Sequence, residues 1–318
     1  MWYQFKKTVV FVIYLVLLNG CVATGKKPPP ALVLQGHALV NRIWDVKAGH
    51  FIEREQLNKH IVASDYLLLG ETHDNIRHHQ LQASVIDTLR QYRRDASVSF
   101  EMITDQQAEL LKRHAVTSSS TLIALLQQAK SNWDYDTQYR VVFDSVLAAG
   151  YAIRPANLSR GKLRQMMKRG EEELPQEIKR VLTQVPLSKQ QRAVLQRDIV
   201  KSHCDMIPLE ATGPMALAQR IRDAVMSRSL LQSQHETKVL IAGAGHARTD
   251  RGVPLYLRRL DRDASIVSIV FREVDAEAVS MAPYLQRRDG QTLAFDYIWF
   301  TPAVETDDPC LGFKMKKG

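Results

Sequence analysis

Two short apolar strands, each ending in Gly-x-x-His, constrain this chain more than any other feature. The first reads Tyr66-Leu67-Leu68-Leu69 followed by Gly70-Glu71-Thr72-His73. The second reads Val239-Leu240-Ile241-Ala242 followed by Gly243-Ala244-Gly245-His246. Apolar runs this short, closed by glycine, leave no room for a helix and read as buried strands. With 15 glycines and 10 histidines in 318 residues, roughly one half of a Gly-x-x-His is expected by chance, so a single copy carries nothing. Two copies, each behind an apolar strand, carry more. After the first copy the period changes. Leu81, Val85, Leu89 and Tyr92 recur at helical spacing, with Asp74 or Asn75 placed to cap the helix. A strand that ends in polar residues and turns straight into a helix is where open α/β sheets hold ligands.

The rest of the chain alternates in the same way. A hairpin is expected around Ala48-Gly49, then a helix over 55–62 leading into the first strand. Ser97 to Met102 reads as a second buried strand that delivers Glu101. Helices follow over about 106–114 and 120–130, and Tyr139, Val142, Phe143 and Val146 give a helical stripe ending at Gly150. Tyr151 to Arg154 is the next strand, with Ala156-Asn157 at its polar end. Strands separated by helices imply right-handed crossovers and an α/β fold with a mainly parallel central sheet flanked by helices. From Ser159 to about His235 no strand signal appears, which predicts a small all-helical inserted subdomain. Between Gly161 and Lys201 it carries ten Lys/Arg against five Asp/Glu, read first as a solvated face. On the helix after Gly213-Pro214, Met215, Gln219, Arg222, Asp223 and Met226 form a mixed stripe beside the apolar one. Closing strands are expected over 265–274 and 295–300. The organisation is then residues 34–158 and 236–310 as two parts of one α/β domain, 159–235 as the insertion and 311–318 as a tail.

Residues 1–20 read as an address. Lys6 and Lys7 precede an apolar stretch, Thr8 to Leu18, too short to span a bilayer comfortably. Leu18-Asn19-Gly20-Cys21 resembles a bacterial lipobox, with Cys21 the residue to be acylated and 21–33 a Pro-rich tether. An ordinary secretory signal is the alternative. Val22 follows where lipoproteins retained at the inner membrane usually carry Asp, which points to the outer membrane of a Gram-negative bacterium. The net charge of +9 falls by the two lysines of the leader to +7, a weak preference for anionic ligands or membrane with no indication of nucleic acid. Cys204 and Cys310 then remain as a candidate pair in an oxidising compartment, although sequence alone does not bring them within bonding distance.

If both Gly-x-x-His strands are central and parallel, His73, Glu101 and His246 converge on one carboxyl edge. Two imidazoles and a carboxylate suit a divalent metal such as Mn, Co or Zn, and neither pattern is a named zinc signature. In a metal-dependent hydrolase, whichever of Glu71 and Glu101 does not ligate would act as general base on a bound water. The alternative is that the histidines orient loops by hydrogen bonding to backbone carbonyls.

Taken together, the lipobox, Leu69 to Asn75 with His79, Phe100-Glu101-Met102 and Ala156-Asn157 with Arg160 resemble the ChaN-like haem-binding lipoproteins. So do His203-Cys204, Met215 with Gln219 to Asp223, Gly243 to Arg248 with Gly252-Val253-Pro254, and Tyr297 to Pro302. The likeness runs from about residue 34 to 310. It implies kinship with the Tiki and TraB superfamily and an outer-membrane-anchored protein of haem or iron uptake. Haem would be held non-covalently at a homodimer interface with a tyrosine as axial ligand, and an outer-membrane receptor is an implied partner. No Cys-x-x-Cys-His occurs, which excludes covalent c-type attachment. A tyrosinate suits ferric iron when a nearby cation lowers the phenol's pKa. Tyr139 and Tyr135 are the candidates, with Tyr297 a third, and His203 and Arg222 are candidates for the propionates. Asp74, His78, His79, Asn157, Arg160, Gln219 and Asp223 would line the site.

Overall fold

The computed structural model describes residues 29–92, 94–129, 131–285, 293–305 and 310. The expected leader, the cysteine at Cys21 and the 311–318 tail lie outside the described residues. Their first elements are β1 (Leu32–Val33) and a hairpin of β2 (Ile43–Asp45) and β3 (His50–Ile52), then α1 (Arg54–Ala63). The first Gly-x-x-His strand is β4 (Tyr66–Glu71), followed by α2 (Ile76–Gln91) and β5 (Ala96–Thr104). Next come α3 (Asp105–Arg113), α4 (Ser119–Gln128), a π-helical turn (Tyr135–Tyr139), α5 (Arg140–Ala148) and β6 (Ala152–Asn157). A helical stretch holds α6 (Arg160–Arg169), α7 (Gln176–Gln184), α8 (Lys189–Ser202) and α9 (Gly213–Leu231). The sheet resumes with β7 (Thr237–Gly243), α10 (Val253–Leu260), β8 (Ile266–Glu273), α11 (Ala282–Leu285), β9 (Tyr297–Thr301) and β10 (Ala303–Val304).

Among the described residues the main sheet has the order β3-β2-β9-β8-β4-β7-β5-β6. The strands from β9 to β6 pair in parallel and the β2–β3 hairpin joins β9 antiparallel. β4 is therefore central, with β7 and β8 as its neighbours. Its six residues are all buried, as a parallel sheet covered on both faces requires. Alternate side chains go to opposite faces. Leu67 and Leu69 join the cluster holding Leu81, Val85 and Leu89 of α2 and Val142, Phe143 and Val146 of α5. Tyr66 and Leu68 join Met226 and Leu230 of α9 and Val253 and Leu257 of α10. Helix α2 starts where Asn75 accepts the Arg77 N–H; Asn75 is fully buried, and its amide also donates to Glu273 and the Pro302 carbonyl.

Helix α9 belongs to two cores. Ala218, Ile221 and Ala224 pack against Leu163 and Met166 of α6 and Ile178, Val181 and Leu182 of α7, while Met226 and Leu230 pack on the sheet. Met226 is thus a core residue, and the mixed stripe read from the sequence does not extend to it. The short β1–β10 ladder, not visible in the sequence pattern, fastens the start of the domain to its last strand.

A disulfide joins Cys204, just past α8, to Cys310, with Cα atoms 5.5 Å apart and a sequence separation of 106. Closing a loop of that length removes about 4–5 kcal/mol of unfolded-chain entropy in the simple model. Cys204→Ser should lower the unfolding free energy by roughly 2–5 kcal/mol. The check is the urea midpoint of the oxidised protein, the reduced protein and the variant, the last two of which should coincide.

Candidate functional site

The two Gly-x-x-His motifs interlock because their strands are neighbours in register. Gly70 pairs with Ala242 and Glu71 with Gly243. A Cβ on Gly70 would stand 2.9 Å from the Ala247 Cβ and 3.1 Å from the Ala244 Cα. A Cβ on Gly243 would stand 2.9 Å from Nε2 of His73. Each glycine is small because the other motif occupies the space where its side chain would go.

Glu71 is the charge at the centre. Its side chain has no solvent exposure, and both oxygens are engaged. Tyr139 donates its hydroxyl to Oε1 at 2.6 Å, and His73 reaches the same oxygen from Nδ1 at 2.9 Å. Gln82 donates to Oε2 at 2.6 Å, and His79 Nε2 lies 3.3 Å from it. Burial works to raise this carboxyl's pKa, but His79 and then His73 overcome it and hold it well below the usual carboxylate range. A carboxylate only accepts, so His73 carries its proton on Nδ1 and turns Nε2 outward. Burial opposes protonation of His73, yet Glu71 and Glu101 raise its pKa to about 9. The edge of its ring meets Trp133, with centroids 4.7 Å apart.

His246 is held in the same manner from the other side. Its Nδ1 donates to Asp223 of α9 at 2.6 Å, and its Nε2 lies 3.6 Å from Glu101 Oε1. His73 Nε2 lies 3.9 Å from Glu101 Oε2, which also accepts the Gly243 N–H at 2.7 Å. Burial raises the pKa of Asp223 against the pull of His246. The structure therefore brings His73, Glu101 and His246 to one rim at the carboxyl ends of β4, β5 and β7. Both imidazoles are oriented by carboxylates so that their Nε2 atoms flank Glu101, the arrangement that frees a ring nitrogen for a ligand or a proton. Among the described residues no group of three or more His, Cys, Asp or Glu is set to hold a metal ion as it stands.

Other residues read as lining the site divide. His79 is buried behind Glu71, its ring tilted against that of Tyr139 with centroids 4.4 Å apart. His78 faces away from the rim: Nδ1 accepts the Thr72 N–H at 2.9 Å and Nε2 donates to the Thr301 hydroxyl at 2.8 Å. Burial first, and then His79, push its pKa down to about 3, so it is a neutral fastener of the loop. Asn157 supports the rim by donating to the Glu101 carbonyl at 3.0 Å. Asp74 and Arg160 are exposed, and Gln219 and Arg222 are half-buried on α9. His203 bonds through Nδ1 to the Ile199 carbonyl at 2.8 Å, closing α8.

The tyrosine candidates meet a physical objection. Tyr139 donates to a buried carboxylate, and burial together with Glu71 pushes its phenol well above the ordinary range, the opposite of what iron ligation needs. Tyr135 is fully buried; its hydroxyl donates to the Met102 carbonyl and accepts from Gln107. Burial pushes Tyr297 up to about 12, with Asp45 and Asp296 adding to the shift. None of the three offers an oxygen ready to ionise.

A second concavity opens on the other side of the Ala244-Gly245 loop. It holds about 540 Å³ and is lined by Lys201, Arg248, Arg251 and Arg272 together with Val270, Tyr284, Leu293, Phe295 and Ile298. Sequence reasoning did not assemble it. Its basic groups come from α8, the loop after His246 and β8, and only Arg248-Thr249-Asp250-Arg251, beside the second motif, gave a local signal. Gln82 and Trp133 were missed as well, the former because a glutamine on a buried helix face reads as surface.

An α/β protein with a sheet-edge cluster and an adjoining basic cavity is the class these features define. The chain matches the family described as "Haem-binding uptake, Tiki superfamily, ChaN" over residues 57–257, more than half its length, and belongs to that family. Among solved structures it is similar to ChaN of Campylobacter jejuni, described with cofacial haem binding. The identity is 21%, the TM-score 0.59, and the match covers 81% of this chain and 95% of that one; this shows a shared fold. Weaker likenesses, to the type III effector HopBA1 (12% identity, TM-score 0.42, 77% and 91% covered) and the erythromycin esterase EreC (13%, 0.40, 83% and 82%), carry no argument. No curated protein matches the chain.

The two glycines should respond differently to a methyl group. Gly70→Ala presses on Ala247 and on backbone at Ala244, and should cost about 1–3 kcal/mol in urea unfolding. Gly243→Ala presses on the half-exposed His73 ring, which can move; stability should change by less than about 1 kcal/mol while the His73 imidazole NMR resonances shift. His78 sets an acid limb. Its folded pKa is depressed below the unfolded value near 6.5, so the unfolded state takes the proton first. Stability is then full above about pH 6.5 and falls as the pH drops from there toward about 3. In His78→Gln that limb should flatten, as read from unfolding midpoints across pH 4–7.

Proposed function

We propose that this protein is a lipid-anchored haem-binding protein of a bacterial outer membrane, taking part in haem or iron uptake. The observation that carries the reading is the cavity of about 540 Å³, in a chain whose family is a haem-binding one. That volume is of cofactor size. Its mixture of guanidinium, ammonium, aromatic and aliphatic walls suits a flat apolar ring bearing carboxylates: the basic groups bond the propionates and the apolar ones shield the ring. Haem would be held non-covalently through a tyrosine, with a second copy of the chain covering the exposed face, and passed to or from an outer-membrane receptor. Acylation at Cys21 would supply the anchor. When bound, haem supplies a ferric centre for transport; the protein's part is to hold it and exclude water.

A second reading is favoured by one specific observation, the paired imidazoles whose Nδ1 atoms are clamped by Glu71 and Asp223. With Mn, Co or Zn on His73, His246 and Glu101, Glu71 lies behind His73 and the rim would serve a metal-dependent hydrolase. Its carboxylate is engaged by Tyr139, Gln82 and His73, which leaves it poorly placed to take a proton from water.

Titrating the full chain in detergent separately with haemin and with Mn, Co and Zn separates the two. Saturable haemin uptake with a high-spin ferric spectrum, unchanged in His73→Ala, is the expected result. Tight metal uptake abolished by His73→Ala and His246→Ala, without haemin uptake, would replace it with the hydrolase. Cys21→Ser should move the protein from the membrane to the soluble fraction.

A further inference from the structure

We propose that the outward face of α6 docks on anionic phospholipid headgroups, so that the carboxyl edge of the sheet faces the membrane. The inference rests on the anchor reading above and adds the surface that meets the lipid and the orientation that follows.

Helix α6 is more cationic than its fold requires. Leu163 and Met166 are its buried residues, and they join a core with Ile178 and Val181 of α7 and Ile221 of α9. Arg160, Lys162, Arg164, Lys168 and Arg169 are all exposed, and the helix holds no Asp or Glu. Lys162 lies 3.1 Å from Asp105. The other four have no hydrogen bond or ion pair among the described residues. Positions 160, 164 and 168 fall four apart and so share one stripe. Helix stability does not account for all of these charges. Cations suit the last turn, where Lys168 and Arg169 stand, but Arg160 and Lys162 occupy the first turn, against the macrodipole. The acids that follow sit past Gly170 on a 3₁₀ turn (Glu171–Glu173), where Glu171 pairs with Arg220 at 3.4 Å.

The topology puts this face on the side where the chain enters the domain. β1 pairs with β10, just beyond the carboxyl end of β9, and the Glu305 N–H donates to the Ala31 carbonyl. α6 leaves from the carboxyl end of β6, where Asp105, next after β5, accepts the Ser159 N–H at 2.7 Å. It packs on the first half of α9, while Met226 and Leu230 in the second half lie on the sheet. α6 therefore stands beyond the carboxyl edge. β6 is five strand spacings from β9, roughly 24 Å across the sheet. Cys21 precedes Ala31 by ten residues, a reach of at most about 33–36 Å. An acyl anchor at Cys21 would hold the carboxyl edge within that distance of the bilayer, close enough for α6 to touch it. Each Lys or Arg at an anionic surface strengthens attachment about fivefold.

The experiment floats the full chain with Cys21→Ser, which removes the acyl chains, on vesicles of phosphatidylcholine alone or mixed with phosphatidylglycerol. Partition should favour the anionic vesicles by at least about tenfold and lose that preference at high salt. Arg164→Glu/Lys168→Glu, both exposed positions on α6, should abolish the preference. Arg259→Glu/Arg262→Glu makes the same change in charge at exposed positions between α10 and β8, at the amino edge, and should leave the preference within about twofold. Equal partition on the two vesicles overturns the proposal and leaves α6 to an acidic protein surface. Equal losses in the two double variants overturn it as well, because net charge and not this face would then carry the attraction. The acylated wild type tests the anchor separately: it should float with both vesicles. If it leaves the neutral ones, the anchor reading fails while the Cys21→Ser comparison still decides the docking face.

Discussion

A carboxylate with no access to water governs the arrangement of this molecule. An unpaired ion in such a place costs several kcal/mol, so Glu71 is stable at the end of β4 only where donors surround it. Those donors come from separate elements: Gln82 from α2, Tyr139 from the π-helical turn before α5, and His73 from the loop, with the His79 ring of α2 3.3 Å away. Satisfying one buried charge thus docks α2 and the start of α5 onto the central strand, and it aims His73 at the rim. π-helical turns often mark such sites. Here the turn spans Tyr135–Tyr139 and its last residue bonds Glu71.

The second motif carries two surfaces on one loop. His246 turns toward Glu101 and Asp223, while Ala244 and Gly245 line the basic cavity. A rim that positions imidazoles and a cavity lined by basic side chains are therefore back to back. The histidine rim, its Nδ1 atoms clamped by Glu71 and Asp223, and the basic cavity draw on different side chains of the same loop.

Much of this was legible from residue order. The apolar runs ending in glycine located β4 and β7, the change of period located α2, and their parallel pairing brought His73, Glu101 and His246 together. Local pattern cannot report which side of a helix a polar residue faces once tertiary contacts override it. His78 and His79 are adjacent in sequence, yet one fastens Thr72 to Thr301 and the other backs Glu71. Tyr139 was readable as the head of an apolar stripe, but its bond to Glu71 was not. The cavity was illegible for a different reason: α8, the loop after His246, β8 and the segment before β9 each contribute isolated basic or apolar residues with no shared spacing.

Helix α9 acts as an axle. Its Ile221 and Ala224 are gripped by the helical layer, its Met226 and Leu230 by the sheet, and Asp223 between them holds the His246 ring. The orientation of the His246 ring is thereby fixed by a helix that the helical layer and the sheet hold jointly.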